Sequence, residues 1–211
     1  MSSVDIRTPP GLRDEARRTI TNVKMKDVVF FEKYSQETGG EYSRFEVKLS
    51  AGGGNVNHYH RTYVESFFVK SGILGVELAG KTLKLSPGES AEVPIGSIHH
   101  FFNDSEEDCC FVGGCTPGHE GFEKGVYIIY GLANDGLTNE ESVPSNIVHL
   151  CLVMVMSELY WTGLLSLAMP IVMGTWLELY ELVVKRLIGG EAGGESSLGF
   201  RLDTEYIVLG G

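Results

Sequence analysis

The stretch that decides the fold reads GGGNVNHYHRTYVESFFVKSGILGVELAGKTLKLSPGESAEVPIGSIHHFFN, residues 52–103. Its strand-like pieces are short: Tyr63 to Lys70, Leu74 to Leu78, Thr82 to Leu85, Ser90 to Val93 and Ile98 to Phe102. Between them stand Gly72, Gly80, Pro87–Gly88 and Pro94–Gly96, and Asn103–Asp104 closes the run. Glycine frees φ and proline removes a backbone donor, so both interrupt a ladder. Many short strands at even spacing predict a mainly β barrel or jelly roll, not an α/β fold.

Working outward, Phe45, Val47 and Leu49 alternate with Glu46 and Lys48, which predicts a strand over Tyr42 to Leu49 with one buried face. Asp27 to Lys33 and Cys109 to Val112 read as further strands. After Pro117 the period changes. Phe122, Val126, Ile129 and Tyr130 recur at helical spacing, Asn134 to Gly136 supply a stop, and the helix is expected against the outside of the barrel.

Residues 142–157 and 159–177 contain no Asp, Glu, Lys or Arg. The second run, LYWTGLLSLAMPIVMGTWL, has the bare length of a membrane span, but Pro170, two glycines, Ser166 and two threonines interrupt it. Two water-soluble helices, Val148 to Met169 and Ile171 to Leu187, are therefore expected, with membrane association as the alternative. The expected organisation is an N-terminal arm over 1–26, a barrel over 27–116, a helical extension over 117–188, and a flexible tail over 189–211 with a terminal strand within Arg201 to Leu209.

The net charge of −11 belongs to the C-terminal half, where residues 105–211 carry four basic and fifteen acidic side chains. Without a Lys/Arg stripe the chain repels a phosphate backbone, so nucleic acid is not an expected partner. Cys109, Cys110, Cys115 and Cys151 include an adjacent pair and no C-x-x-C, which argues against a disulfide framework and for reduced thiols. The first residues, MSSVDIRTPPGLRDEARR, lack an apolar signal core, and a cytoplasmic location is expected.

His58-Tyr59-His60 is the sharpest local feature, because residues two apart on a strand point to one side. Imidazole and carboxylate ligands suit Mn, Fe, Co, Ni, Cu or Zn. A lone H-x-H is weak, but it does not stand alone. Gly52, His58, His60, Glu65 and Gly72 fall at the intervals of the first cupin motif, and Gly88, Pro94, Gly96, His99 and Asn103 at those of the second. Over about residues 40–115 the chain thus resembles the cupin superfamily, with the fifteen residues between Gly72 and Gly88 matching the shortest spacing between motifs.

The resemblance implies a small single-domain cupin: a jelly-roll or double-stranded β-helix barrel, here with C-terminal helices. It implies one divalent first-row transition metal, with iron preferred, on His58, His60, Glu65 and His99. Such a set leaves one or two positions open for water, dioxygen or substrate. Glu65 is a candidate proton carrier as well as a ligand. The segment Thr116-Pro117-Gly118-His119-Glu120 resembles the post-barrel turn of small cupins and makes His119 a candidate acid or base. Tyr63, Phe67 and Phe101 are expected to wall a pocket for a small apolar or aromatic substrate, whereas His100 should point away.

Oxygenase or oxidase chemistry with dioxygen is the leading expectation. Redox-neutral isomerisation, cyclisation, decarboxylation or hydrolysis on the same metal is the alternative, and a non-catalytic binding or structural cupin is the third. A sugar-phosphate isomerase would want cations near the pocket, and residues 51–104 offer only Arg61, Lys70, Lys81 and Lys84. Cupin barrels commonly pair through their sheets, so a homodimer is expected.

Overall fold

The alternation between Tyr42 and Leu49 is realised as a strand whose Ser43, Phe45, Val47 and Leu49 are buried. In the computed structural model, residues 8–162 are described. The strands are β1 Thr19–Asn22, β2 Asp27–Lys33, β3 Ser43–Leu49, β4 His58–Tyr59, β5 Val64–Ser71, β6 Leu74–Leu78, β7 Lys81–Leu85, β8 Ser90–Val93, β9 His99–Phe102, β10 Cys109–Thr116 and β11 Tyr160–Trp161. The helices are α1 Pro10–Arg13, α2 Glu120–Asn134 and α3 Ile147–Ser157. The strands form two antiparallel sheets, β1-β2-β3-β10-β5-β8 and β11-β4-β9-β6-β7, which face each other as a jelly roll.

Period-2 patterning sends Asp27, Val29 and Phe31 of β2, Glu65, Phe67 and Val69 of β5, and Cys109, Phe111 and Cys115 of β10 to the buried face. The core is aromatic. Phe31 stacks on Tyr34 and Tyr127 with centroids at 4.9 and 5.5 Å, and Phe67 meets Phe101 and Phe111 edge to face at 6.0 and 5.7 Å. Each such pair adds about 1 kcal/mol beyond the area it buries.

Two motif glycines act through backbone geometry. Gly72, between β5 and β6, has φ +72°, and a Cβ there would meet the Asp108 carbonyl at 2.5 Å. Gly96 has φ +78° in the turn before β9, and its N–H donates to the His60 carbonyl at 2.7 Å. Asn103 is almost fully buried; its amide donates to the Leu49 and Glu107 carbonyls, and its Oδ1 accepts from the Ser105 N–H, so it pins the turn into β10.

Several expectations need correction. The first sheet strand is β1, inside the arm expected over 1–26; it pairs with β2 through Thr19↔Phe30 to Asn22↔Asp27. Its four residues carry too little hydrophobic alternation to announce a strand, and the hairpin partner supplies the missing bonds. The helix α2 does not pack outside the barrel. Its Phe122 lies 5.5 Å from Phe45, and its Tyr127 stacks on Phe31, both on the inward face, so α2 closes the mouth. The helix expected over Val148 to Met169 stops at Ser157, because Glu158 takes the left-handed conformation (φ 51°) and Tyr160–Trp161 pairs with β4. The helix expected over Ile171 to Leu187 and the tail over 189–211 lie outside the described residues. Among the described residues no helix is long and apolar enough to cross a membrane.

Candidate metal centre

Three of the four candidate ligands come from the five-stranded side and one from the other sheet. His58 on β4 stands directly opposite His99 on β9, His60 lies just past the end of β4, and Glu65 opens β5 across the barrel. Their ligand atoms all lie within 4.8 Å of one another, and all four residues are buried. The ring centroids of His58 and His99 are 4.2 Å apart.

The outward ring nitrogens fix how the imidazoles face. A carbonyl accepts only, so His58 Nδ1–H donates to the Val56 carbonyl at 2.8 Å and His99 Nδ1–H to the Ser97 carbonyl at 2.9 Å. Tyr63 gives its own proton to the Ser157 carbonyl at 2.9 Å, which leaves its oxygen to accept from His60 Nδ1–H at 2.6 Å. All three imidazoles therefore turn Nε2 to the centre. Such outer partners orient metal-ligating histidines and raise their basicity.

The inner face fits a cation. His60 Nε2 is buried with no hydrogen-bond partner. His99 Nε2 sits 2.8 Å from Glu65 Oε2, and His60 Nε2 lies 3.5 Å from the same oxygen. Burial pushes the Glu65 carboxyl up, but the close imidazoles of His60 and His99 outweigh it and hold the group below the usual carboxylate range. Burial lowers His99 and the Glu65 carboxylate more than offsets that, so His99 is raised. Burial, followed by its neighbours His60 and His99, drives His58 well below its ordinary value. The 2.8 Å contact of His99 Nε2 with Glu65 Oε2 holds a proton that a metal would displace. Three nitrogen donors and one carboxylate suit a first-row divalent ion.

A cavity of about 90 Å³ opens beside His58 and Glu65. One water needs roughly 10–15 Å³ on this scale, so a small organic molecule fits where several waters would. Its walls are apolar, with Phe31, Phe45, Phe101, Phe122, Ile129 and Trp161.

Of the expected pocket residues, only Phe101 lines this cavity. Tyr63 is wholly buried and serves as the hydrogen-bond partner of His60, and Phe67 is a core ring behind Phe101. His119 lies outside the lining. It caps α2, its Nδ1 accepting from the Phe122 N–H at 2.9 Å, and its ring reaches the centre only through Tyr63, 5.0 Å away. With Nδ1 committed to the cap, only Nε2 of His119 is left to carry a proton. His100 points away as expected, with its Nδ1 2.8 Å from Asn57 Oδ1. Sequence reading missed Ser157, because a backbone carbonyl that closes the Tyr63 bond leaves no mark in the sequence.

Residues 45–113 match the family described as the cupin domain. These residues form a cupin domain. Among curated proteins the chain is similar to a quercetin 2,3-dioxygenase of Bacillus subtilis (strain 168), with 27% identity over 104 residues. That match takes in 49% of this chain and 30% of the relative, so the chain spans under a third of its length. Among solved structures, KdgF from Halomonas sp. is 20% identical at TM-score 0.44, covering 50% of this chain and 91% of that one. The polyketide cyclase RemF from Streptomyces resistomycificus is 22% identical at TM-score 0.40, covering 43% and 65%.

Proposed function

We propose that the cupin domain is a mononuclear metal enzyme that oxidises a small apolar or aromatic compound with dioxygen. The observation that carries this reading is the convergence of three Nε2 atoms and one carboxylate at the end of an apolar cavity. A bound first-row ion, iron by preference, would supply a Lewis-acidic centre with exchangeable positions for a substrate oxygen and for dioxygen. His58, His60 and His99 would hold it in a fixed orientation through their Nδ1 partners. Glu65, beside those positions, accepts a substrate proton when the substrate's hydroxyl reaches hydrogen-bond distance. Phe101, Phe122 and Trp161 exclude water and stack on a flat ligand. The similarity to a quercetin dioxygenase supports an aromatic substrate of the flavonol kind.

The test is anaerobic purification with metal analysis, then incubation with quercetin with and without dioxygen. The reading expects about one metal per chain and oxygen uptake matched to substrate loss. Equal turnover without dioxygen would replace the oxidative reading with redox-neutral Lewis-acid chemistry, and a metal-free protein would sink both.

A further inference from the structure

At the far end of the same cavity lies a second polar site that the metal chemistry does not use. Asp27 opens β2, turns inward with Val29 and Phe31, and lines the cavity while only 2% exposed. Its Oδ2 accepts from the Tyr130 hydroxyl of α2 at 2.6 Å. Its Oδ1 is buried and has no hydrogen-bond partner among the described residues. Strand register puts the residue toward the opposite end of the sheet from Glu65: Asp27 faces Leu49 on β3, whereas Glu65 faces Cys115, which faces Ser43 at the other end of β3.

We propose that Asp27 is a ligand-anchoring residue, its free Oδ1 accepting a hydrogen bond from a hydroxyl on an aromatic ligand whose other end faces the metal centre. This deepens the function proposed above and rests on it for the identity of the metal end. A buried acceptor left unpaired is costly, and a ligand donor would remove that cost. Tyr130 holds Oδ2 and leaves Oδ1 as the unpaired oxygen of a residue that lines the cavity. The burial that isolates the group also pushes its acid form up to about 7, against the Tyr130 hydrogen bond, so it exchanges a proton readily near neutrality. An unpaired acceptor among largely apolar walls selects for a ligand that brings a donor to this end, because a ligand without one leaves Oδ1 unpaired.

The test compares 2-naphthol with 2-methylnaphthalene, which match in shape and differ in the hydroxyl. Each is titrated into wild type, Asp27→Leu and Asp27→Asn, metal-loaded and metal-stripped, with circular dichroism confirming the fold. Wild type should prefer 2-naphthol by about tenfold, the effect of one hydrogen bond to a buried carboxyl. Asp27→Leu should lose the preference and keep its affinity for 2-methylnaphthalene, and Asp27→Asn, whose oxygen stays with the Tyr130 hydroxyl so that an NH2 replaces Oδ1, should weaken the preference. Equal binding of the two probes in wild type overturns the proposal and means that Oδ1 is satisfied within the protein, for instance by Asn22 Nδ2 across the β1-β2 hairpin. A preference that survives Asp27→Leu, or binding of neither probe, also overturns it. The preference is read in stripped protein too, so an empty metal site defeats the function above without deciding the role of Asp27.

Discussion

The two ends of the barrel interior treat a buried carboxyl in opposite ways. At the metal end Glu65 has imidazoles at 2.8 and 3.5 Å, and their closeness holds its acid form low despite its burial. Under α2, Asp27 and Glu123 meet only neutral donors: Tyr130 for the first, the Ser35 N–H and the Ser43 hydroxyl for the second. Burial then prevails and pushes both up to about 7. Depth alone does not decide the charge state; the partner does. The metal end is organised to hold charge, and the helix-covered seam is organised to avoid it.

The strongest way to break this comparison is to remove a charge-holding partner. His60→Ala should lower metal affinity by more than about 100-fold and abolish turnover, since a ligand lost costs more than the 10- to 100-fold of an outer partner. Metal content after dialysis checks it, and a full ion retained at unchanged affinity would refute the ligand set.

On the seam the effect has the opposite sense. Glu123 binds its proton more tightly folded than unfolded, so its favourable contribution is complete below about pH 4 and is lost as pH rises through 7. Glu123→Gln removes the isolated charge while keeping an acceptor for Ser35 and Ser43. It should gain on wild type as pH rises from 5 to 8, by at most about 3 kcal/mol at 1.36 kcal/mol per unit. Chemical denaturation at the two pH values measures this, and a difference independent of pH would show that Glu123 has a partner beyond the two serines.

A smaller effect sharpens the metal end. Tyr63→Phe leaves the ring stack on His60 but deletes the nearer of the two acceptors of its Nδ1–H, leaving the Glu158 carbonyl at 3.3 Å. Metal affinity should fall about 10- to 100-fold with the fold intact. Smallest of all is His100→Ala, which should leave metal content unchanged and shift stability by no more than about 0.5 kcal/mol, as the side chain lies outside the centre. Parallel competition with a chromophoric chelator would rank the variants, and a reversal of the Tyr63 and His100 effects would contradict the geometry.

The spacing of Gly52, His58, His60, Glu65 and Gly72 and of Gly88, Pro94, Gly96, His99 and Asn103 carried a family resemblance, and that resemblance singled out the four residues that the fold brings together as a cluster that could hold a metal. Local physics accounts for the barrel: turn glycines, period-2 burial and strand length are properties of neighbours in the chain, and β2, β6 and β8 begin and end where the pattern places them. The parity that Tyr63 and Phe67 share with Glu65 places both inward, and contacts across the fold then make one the partner of His60 and the other a core ring behind Phe101; His119, singled out by the resemblance of its turn, caps α2 through Nδ1. The inward seat of α2, the β11 pairing that ends α3, the Tyr63–Ser157 bond and the Asp27–Tyr130 pair join residues about a hundred positions apart. No periodicity encodes such pairs, because each depends on two elements meeting at one angle and depth. The sequence by itself therefore determined which residues face inward and, through its motif spacing, which of them could gather around a metal. The tertiary structure alone decided what stands behind each imidazole and which buried carboxyl goes without a charged partner, since hydrogen-bond partners and desolvation are set by packing, not by order along the chain.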